Sequence, residues 1–269
     1  MGALKRSAEM ETPLSLSVPR EDPCYWCGDP SSSDEHVPPK CLFPERKDVP
    51  EVDLRVNLLT VRSCDLHNQR KSKDDEFLMA ILAPIVGNNS IGYLQTQTKL
   101  ARALERRKGS LGAAAYREPE PFIGKIGGVD FPLSIVKGDT RRIIRALESV
   151  ARGVYRLHFG SRFHGRCVVF PDFLDYSESP KGNVLKGIVR GMARSQAPDW
   201  PEYATNPDVF SYKVGPVDEF GLTPMMLRFY EGAIVWVAFM PHGVNALKTS
   251  IKIEQAEQVV PPKSDRAGG

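Results

Sequence analysis

The sequence contains few cysteines and no long apolar segment. Of its 269 residues, only five are cysteine and five are histidine. The number of cysteines is odd, and the N-terminus has charges and prolines where a secretory signal has an apolar region. Disulfides are therefore a poor explanation for the cysteines. No apolar run reaches the ~18 residues that a membrane helix needs. We therefore expect a cytoplasmic protein without a membrane partner.

The charge is also nearly balanced. The formal net charge is +3 and hydrophobic residues make up 41% of the chain. That hydrophobic share supports a packed core and argues against general disorder. The slight basic excess permits a nucleic-acid partner but does not by itself argue for one.

Composition divides the chain into five parts. A short polar N-terminus precedes a motif-rich segment, after which a charged helix and a linker lead into a longer segment of strands and one strong helix. We predict a flexible arm at 1–20, a motif-bearing module at 21–83, a helix and linker at 84–121, an α+β domain of unknown role at 122–254 and a disordered tail at 255–269.

The second half predicts a helix against an antiparallel sheet. In "DTRRIIRALESVARGVYRLHFG", apolar residues recur every three or four positions, with Asp139 or Thr140 to begin the helix and Gly160 to end it. A hairpin is expected around Gly127 and Gly128. Four segments resemble strands and one a weaker helix: "RCVVFPDF", "DVFSYKV", "MMLRFY" and "AIVWVAFM", and "NVLKGIVRGMARS".

The strong helix also carries several arginines. Two interpretations stay open for them: contacts to a phosphate backbone, or the solvated face of an amphipathic helix, which we favour. The residues concerned are Arg141, Arg142, Arg145 and Arg152.

Two short motifs have the spacing of metal-binding knuckles. Cys24 and Cys27 form Cys-x2-Cys, and Cys64 and His67 form Cys-x2-His. Three thiolates and one imidazole can complete a tetrahedral structural zinc site. Cys41 has no partner at knuckle spacing and is a weaker candidate ligand. Cys167 lies in an apolar run and is expected in the core.

The segment between the knuckles holds residues suited to phosphodiester hydrolysis. That reaction needs a base near neutral pH and a hard cation to stabilise the developing charge. His36 can serve as the base. Glu35 offers a carboxylate and Asn68 an amide oxygen to the cation. Asn57 can hold the loop or orient the imidazole.

The chain beyond the second knuckle predicts a helix that starts near Asn68 and stops before Pro84. Lys71 on this helix is a candidate contact to substrate phosphate, or a solvated helix residue. Asp74 and Asp75 are weaker candidates for a second cation contact.

The order of these pieces resembles the HNH nuclease family. The pieces are "CYWC", "EHVPP", "NLLTV" and "CDLHNQRK", and the resemblance covers about residues 21–83. It implies a ββα-metal fold, an Mg2+ or Mn2+ ion held by Glu35 and Asn68, and His36 as general base. It also implies hydrolytic cleavage of DNA, with the zinc structural and separate from the catalytic ion.

Two positions depart from the family pattern. The acid is Glu35 where the family usually has Asp, and the neighbouring Asp34 competes for the role. The last knuckle ligand is His67 where the family usually has Cys. His67 either binds the zinc, which we favour, or approaches the catalytic ion.

Two other functions fit the same residues. A non-catalytic zinc-stabilised module would bind nucleic acid or protein without cutting. An RNA-directed hydrolase would differ only in substrate. The segment 122–254 shows no active-site motif, and any protein partner or second copy of the chain is expected to bind there.

Overall fold

The structure is a computed structural model that describes residues 19–175, 187, 190–191 and 193–242. Within helices and strands, the side chains of residues 69–73 and 126 are outside this description. The arm predicted at 1–20, the tail at 255–269 and the helix in "NVLKGIVRGMARS" lie wholly or mostly outside the described residues. The remaining fold is mixed α+β with antiparallel sheets, as the sequence predicts.

The N-terminal part has the order strand, strand, helix. Strand β1 (Ser33–His36) pairs antiparallel with β2 (Thr60–Ser63), and α1 (Asp65–Leu82) follows directly. A 3-10 turn at Lys40–Leu42 lies in the connection. The predicted helix therefore begins three residues before Asn68 and ends before Pro84, which has no N–H for a helical hydrogen bond.

Three short helices and a π-helical turn fill the next stretch. The charged helix predicted at 96–108 is confirmed, although its first five residues are π-helical. The expected linker is wrong, because "GSLGAAAYREPEP" contains a helix with Leu111 and Ala115 buried and the first residues of a strand. The elements are α2 (Ser90–Gln95), the π turn (Thr96–Leu100), α3 (Ala101–Arg106) and α4 (Ser110–Ala115).

The hairpin expected around Gly127 and Gly128 is confirmed. It consists of β3 (Arg117–Ile126) and β4 (Val129–Lys137), which form a two-stranded sheet of their own. Both turn glycines have positive φ, 59° and 86°. Such backbone angles favour glycine and suit the tight turns of hairpins.

Helix α5 (Thr140–Phe159) is the long helix that the apolar periodicity predicts. Asp139 caps its start by accepting a hydrogen bond from the Arg142 N–H at 3.0 Å, and Gly160 ends it with φ of 67°. Its buried face comprises mostly small and apolar residues: Ile143, Ala146, Leu147, Ser149, Val150, Ala151, Gly153, Val154 and Leu157.

A five-stranded antiparallel sheet of order β5-β9-β8-β7-β6 follows. The four strands predicted from sequence are confirmed, and β6 was not predicted. Core residues of β8 and β9 belong to the same buried cluster as α5, whereas Trp236 and Met226 pack with Trp200 in a second, smaller cluster. The strands are β5 (Gly165–Pro171), β6 (Glu202–Asn206), β7 (Phe210–Val214), β8 (Thr223–Phe229) and β9 (Ala233–Pro241).

One buried cluster runs through both predicted segments. It includes Val37 directly after β1 and Val61 within β2, and Val154 and Phe239 from the second half. The contact is close at Gly153 of α5, where a Cβ atom would lie 2.6 Å from Val37 Cγ2. A side chain there would have to displace Val37. The β1–β2 hairpin is thus packed directly on α5.

Ion pairs also join α1 to α5. Asp74 of α1 is buried, and its carboxylate lies 2.7 Å from Arg142 Nε and 3.3 Å from Arg145 Nη2. The Arg142 guanidinium also lies 4.1 Å from the Phe77 ring centroid. These contacts favour a packing role for Arg142 and Arg145 over phosphate binding. They also occupy Asp74, a weaker sequence candidate for a second cation contact.

Candidate metal centre and candidate catalytic residues

The two knuckles meet in space. The ligand atoms of Cys24, Cys27, Cys64 and His67 all lie within 4.8 Å of one another. Cys64 Sγ is 3.2 Å from His67 Nδ1, Cys24 Sγ is 3.7 Å from the same nitrogen, and Cys27 Sγ is 3.7 Å from Cys64 Sγ. The chain therefore forms a Cys3His cluster that could hold a metal ion such as zinc.

The distances between the ligand atoms are close to those around a tetrahedral ion. With Zn–S bonds of ~2.3 Å and Zn–N bonds of ~2.0 Å, the edges of a tetrahedron are ~3.5–3.8 Å. Of the six ligand–ligand distances, two of the three given above have this length, the third is slightly shorter, and all six are within 4.8 Å. Thiolate and imidazole are also the ligands that zinc prefers at closed structural sites. The donor set and its spacing therefore suit zinc.

Local backbone geometry builds each knuckle. In the first, Gly28 has φ of 85° and donates its N–H to the Cys24 carbonyl at 2.9 Å, while the Asp29 N–H points to Cys27 Sγ at 3.4 Å. In the second, Cys64 is the N-cap of α1, and its carbonyl accepts the N–H groups of His67 and Asn68. The second knuckle is therefore the first turn of α1.

Side chains of the second half support the cluster. The Trp26 ring stacks on His67, with centroids 5.6 Å apart and planes 25° apart, and the Arg152 guanidinium lies 4.9 Å from the Trp26 centroid. Arg162, just after α5, donates to the Cys27 carbonyl at 2.6 Å. Such supporting contacts fix the orientation of metal ligands.

The thiols differ in acidity. Burial raises the pKa of Cys27 to about 12. Burial also acts to raise the pKa of Cys24, but backbone N–H groups of Cys27, Cys64 and Trp26 outweigh it and lower that pKa. A metal ion binds thiolates, so its binding here would release protons and strengthen as pH rises.

Glu35 lies in a buried hydrogen-bond network. Its side chain is 6% exposed, and its Oε1 accepts a hydrogen bond from the Tyr25 hydroxyl at 3.2 Å. Tyr25 in turn lies 2.7 Å from the Ser149 hydroxyl of α5. Burial and the nearby Glu35 raise the pKa of Tyr25 well above its usual value, so the phenol stays protonated and can donate.

Asn68 contacts β1 directly. Its Nδ2 donates to Ser33 Oγ at 2.8 Å. Ser33 and Glu35 are two residues apart on one strand and therefore share a face. The structure thus brings the predicted amide ligand to the strand face that carries the predicted carboxylate ligand.

His36 occupies the alternate position of the strand. It is half-buried and pairs across the hairpin with Thr60. Asp34 shares its face and forms an exposed ion pair with Arg62 at 3.0 Å. Strand alternation therefore separates His36 from the side of Asn68, so a shared cleft for the two stays a prediction.

The remaining predicted residues lie apart from the cluster. Asn57 is exposed in the loop before β2, with φ of 53°, a left-handed conformation that asparagine tolerates. Lys71 lies in α1, and its side chain is outside the described part of the chain. Cys41 Sγ donates to the Asp75 carbonyl at 3.2 Å and takes no part in the Cys3His cluster. Cys167 is partly buried against the core, as predicted.

The sequence reasoning did not identify three supporting residues. Tyr25, Ser149 and Arg162 each join a motif to α5 or to the loop that follows it. Ser149 left one signal, because it is a polar residue on the apolar face of an amphipathic helix. Tyr25 and Arg162 left none, because the contacts that join the two halves of the chain, Tyr25 to Ser149 and Arg162 to Cys27, each span more than a hundred residues.

A scan against protein-family models and searches of curated proteins and solved structures found no match for this chain. The resemblance to HNH nucleases therefore rests on the four sequence pieces. Among the residues that the structure describes, no helix is both long and apolar enough to cross a bilayer.

Proposed function

We propose that the protein is a metal-dependent HNH-type endonuclease that hydrolyses phosphodiester bonds of DNA. The observation that carries this proposal is the 2.8 Å hydrogen bond between Asn68 and Ser33. It places the first turn of α1 against the strand that bears Glu35 and His36. This strand, strand, helix order is the arrangement that the four sequence pieces imply.

The Cys3His cluster would hold a structural zinc ion in this scheme. Its ligands come from the chain before β1 and from the first turn of α1. A closed four-ligand site leaves no open position for substrate, so its contribution would be to fix α1 against the hairpin. His67 faces Cys24 and Cys64 at 3.7 and 3.2 Å, which favours zinc over the catalytic ion as its partner.

Glu35 and Asn68 would hold a divalent cation, Mg2+ or Mn2+, through carboxylate and amide oxygens. Such a cation supplies charge stabilisation to the leaving oxygen of a phosphodiester. His36 would accept a proton from the attacking water, a role that suits an imidazole near neutral pH. The Tyr25 hydrogen bond to Glu35 Oε1 would orient the carboxylate.

A plasmid-nicking assay with Mg2+ or Mn2+ tests the proposal. We expect His36→Ala to abolish cleavage while zinc content and melting temperature stay unchanged, and EDTA to abolish cleavage by the unaltered protein. The matched control is His242→Ala, at an exposed histidine directly after β9, which should cleave normally. Full cleavage by His36→Ala, with contaminating nuclease excluded, would contradict the proposed mechanism.

One observation favours a second candidate, a zinc-stabilised module that binds nucleic acid or protein without cutting. Glu35 is buried and already bonded to Tyr25, as a purely structural carboxylate would be. In that case gel-shift assays would show retarded but intact DNA with every cation tried. Parallel assays on RNA of the same sequence distinguish a DNA-directed from an RNA-directed hydrolase.

A further inference from the structure

The segment that ends α5 and leads into β5 is rich in positive charge. Between Glu148 and Asp172 the sequence has four arginines, two histidines and no acidic residue. These arginines alone exceed the net charge of +3 that the whole chain carries. A local positive excess of this kind is typical of surfaces that bind a polyanion.

Two of the four arginines are neutralised inside the protein. Arg152 pairs with Glu148 at 2.8 Å, and Arg156 pairs with Asp22 before the first knuckle. Both guanidinium groups are largely buried, because their side chains are only 12 and 13% exposed. Their charges therefore stabilise the packing of α5 and are not presented to a partner.

The other two arginines keep their charge. Arg162 donates to the backbone carbonyl of Cys27 at 2.6 Å, and a neutral carbonyl does not cancel the charge of a guanidinium group. Arg166 is exposed on β5. Among the residues that the structure describes, no carboxylate forms an ion pair with either arginine. Both cations are therefore available to an external anion.

His164 lies between these arginines and joins them into one surface. Its Nδ1 is 3.4 Å from Arg162 Nη2. Exposure alternates along this part of the chain, because Phe163 is buried while His164 and Arg166 are exposed. Such alternation is typical of extended backbone, in which residues two apart lie on one face at a separation of about 6.6 Å. We call the surface formed by Arg162, His164 and Arg166 the basic strip.

We propose that the basic strip binds the phosphate backbone of DNA. Each guanidinium presents a planar fork of N–H donors, which matches the oxygens of a phosphate group, and the imidazole between them offers a further ring nitrogen. The identity of the polyanion rests on the proposed function. The strip adds a substrate contact that lies outside the segment 21–83.

The position of the basic strip favours DNA over an acidic peptide. Arg162 fixes the strip to Cys27, a residue of the Cys3His cluster, so the strip is anchored on the module that carries His36. A duplex is a long, uniformly charged rod with one negative charge per ~1.7 Å of its axis, so it can contact the strip and the module together. An acidic peptide gains nothing from this adjacency.

Fluorescence anisotropy with a short labelled duplex tests the basic strip. The full-length, zinc-loaded chain is titrated without Mg2+ or Mn2+, so that binding is measured apart from cleavage. Loss of one phosphate contact lowers the salt slope of the binding constant by ~0.9, which is about an eightfold loss of affinity at ~0.1 M salt. We expect this loss in Arg166→Gln, with Arg162 left intact so that the first knuckle is undisturbed.

Arg141→Gln is the matched control. Arg141 is an exposed arginine at the start of α5, about 27 Å along the helix axis from Phe159. Both variants lose one exposed positive charge, so a general effect of net charge would be equal in the two. Equal affinities and equal salt slopes for the two variants would overturn the basic strip as a DNA contact, as would an unaltered chain that binds no DNA.

Competition with polyglutamate identifies the class of polyanion. We expect polyglutamate to displace the duplex only at a charge concentration more than about tenfold above that of unlabelled DNA, because a carboxylate chain does not extend from the strip to the module. Displacement at equal charge concentration, lost in Arg166→Gln, would overturn DNA in favour of an acidic protein.

The basic strip and the proposed function can fail separately. In a chain that cleaves DNA, Arg166→Gln should raise KM and leave kcat unchanged, because a backbone contact stabilises substrate and transition state equally. Binding that depends on Arg166, without cleavage in any cation, would remove the nuclease and keep the strip. Cleavage with the same KM in Arg166→Gln and Arg141→Gln would keep the nuclease and remove the strip.

Discussion

The Tyr25 hydroxyl donates a hydrogen bond to Glu35 Oε1 at 3.2 Å while lying 2.7 Å from Ser149 Oγ. Because its proton goes to Glu35, the Ser149 hydroxyl donates to Tyr25. The buried phenol of Tyr25 therefore connects the first knuckle to β1 through Glu35 and to α5 through Ser149.

Tyr25→Phe should destabilise the protein by about 1–3 kcal/mol, because it leaves a buried carboxylate oxygen and a buried hydroxyl without this partner. Urea denaturation measures the change. Tyr93→Phe, at an exposed tyrosine, should change stability little. An equal effect of the two variants would show that the buried network contributes nothing measurable.

Metal removal should destabilise the fold. We expect about one zinc ion per purified chain, and Cys27→Ser should lower both zinc content and melting temperature, because three ligands hold zinc less tightly than four. Cys167→Ser is the control, since this cysteine lies in β5 outside the cluster. An unchanged melting temperature after a chelator has removed the metal would contradict a structural role for the ion.

Asp74→Asn should cost about 2 kcal/mol, because it leaves Arg142 and Arg145 without their buried partner between α1 and α5. Asp34→Asn removes an exposed pair with Arg62 and should cost less than about 1 kcal/mol. Chemical denaturation of the two variants compares these costs. A smaller effect at Asp74 than at Asp34 would refute the assignment of the α1–α5 pair as a stabilising contact.

The free energy of unfolding should fall as pH falls below about 6.5, and part of this loss should come from protonation of His158. Burial lowers the pKa of His158 from its ordinary value of 6.5, so the unfolded chain takes up a proton before the folded one does. The stabilisation is complete above pH 6.5 and is lost as pH falls toward the lower folded pKa. His158→Gln should lack this component when the two proteins are compared at equal zinc saturation. If the free energy of unfolding has the same pH dependence in the unaltered protein and in His158→Gln, His158 does not contribute to it.

The sequence predicts those features that depend on near neighbours. Helix α5 could be located from its apolar period, Asp139 and Gly160, because each signal acts within a turn of the helix. The knuckles could be paired because tetrahedral zinc needs four ligands and only two knuckles are present. Strand β6 could not be predicted, since "EYATN" shows no alternation of polar and apolar residues.

Contacts across the chain could not be predicted in the same way. Arg142 and Arg145 give the same sequence pattern whether they bind phosphate or Asp74, and only the packing of α5 on α1 decides between the two. The same packing brings Ser149 to Tyr25 across 124 residues. The segments predicted as separate domains contribute to one buried cluster, because α5 offers apolar contacts to both.

Because Gly153 has no side chain, α5 can approach Val37 closely, and this sets the distance between α5 and β1. Only a hydrogen atom stands between the helix backbone and Val37, the residue after His36. Alanine, serine and valine at this position would push Val37 and β1 progressively further from α5 as the side chain grows. The offset of β1, which carries His36, from α5 therefore depends on a single residue that lies outside the Cys3His cluster.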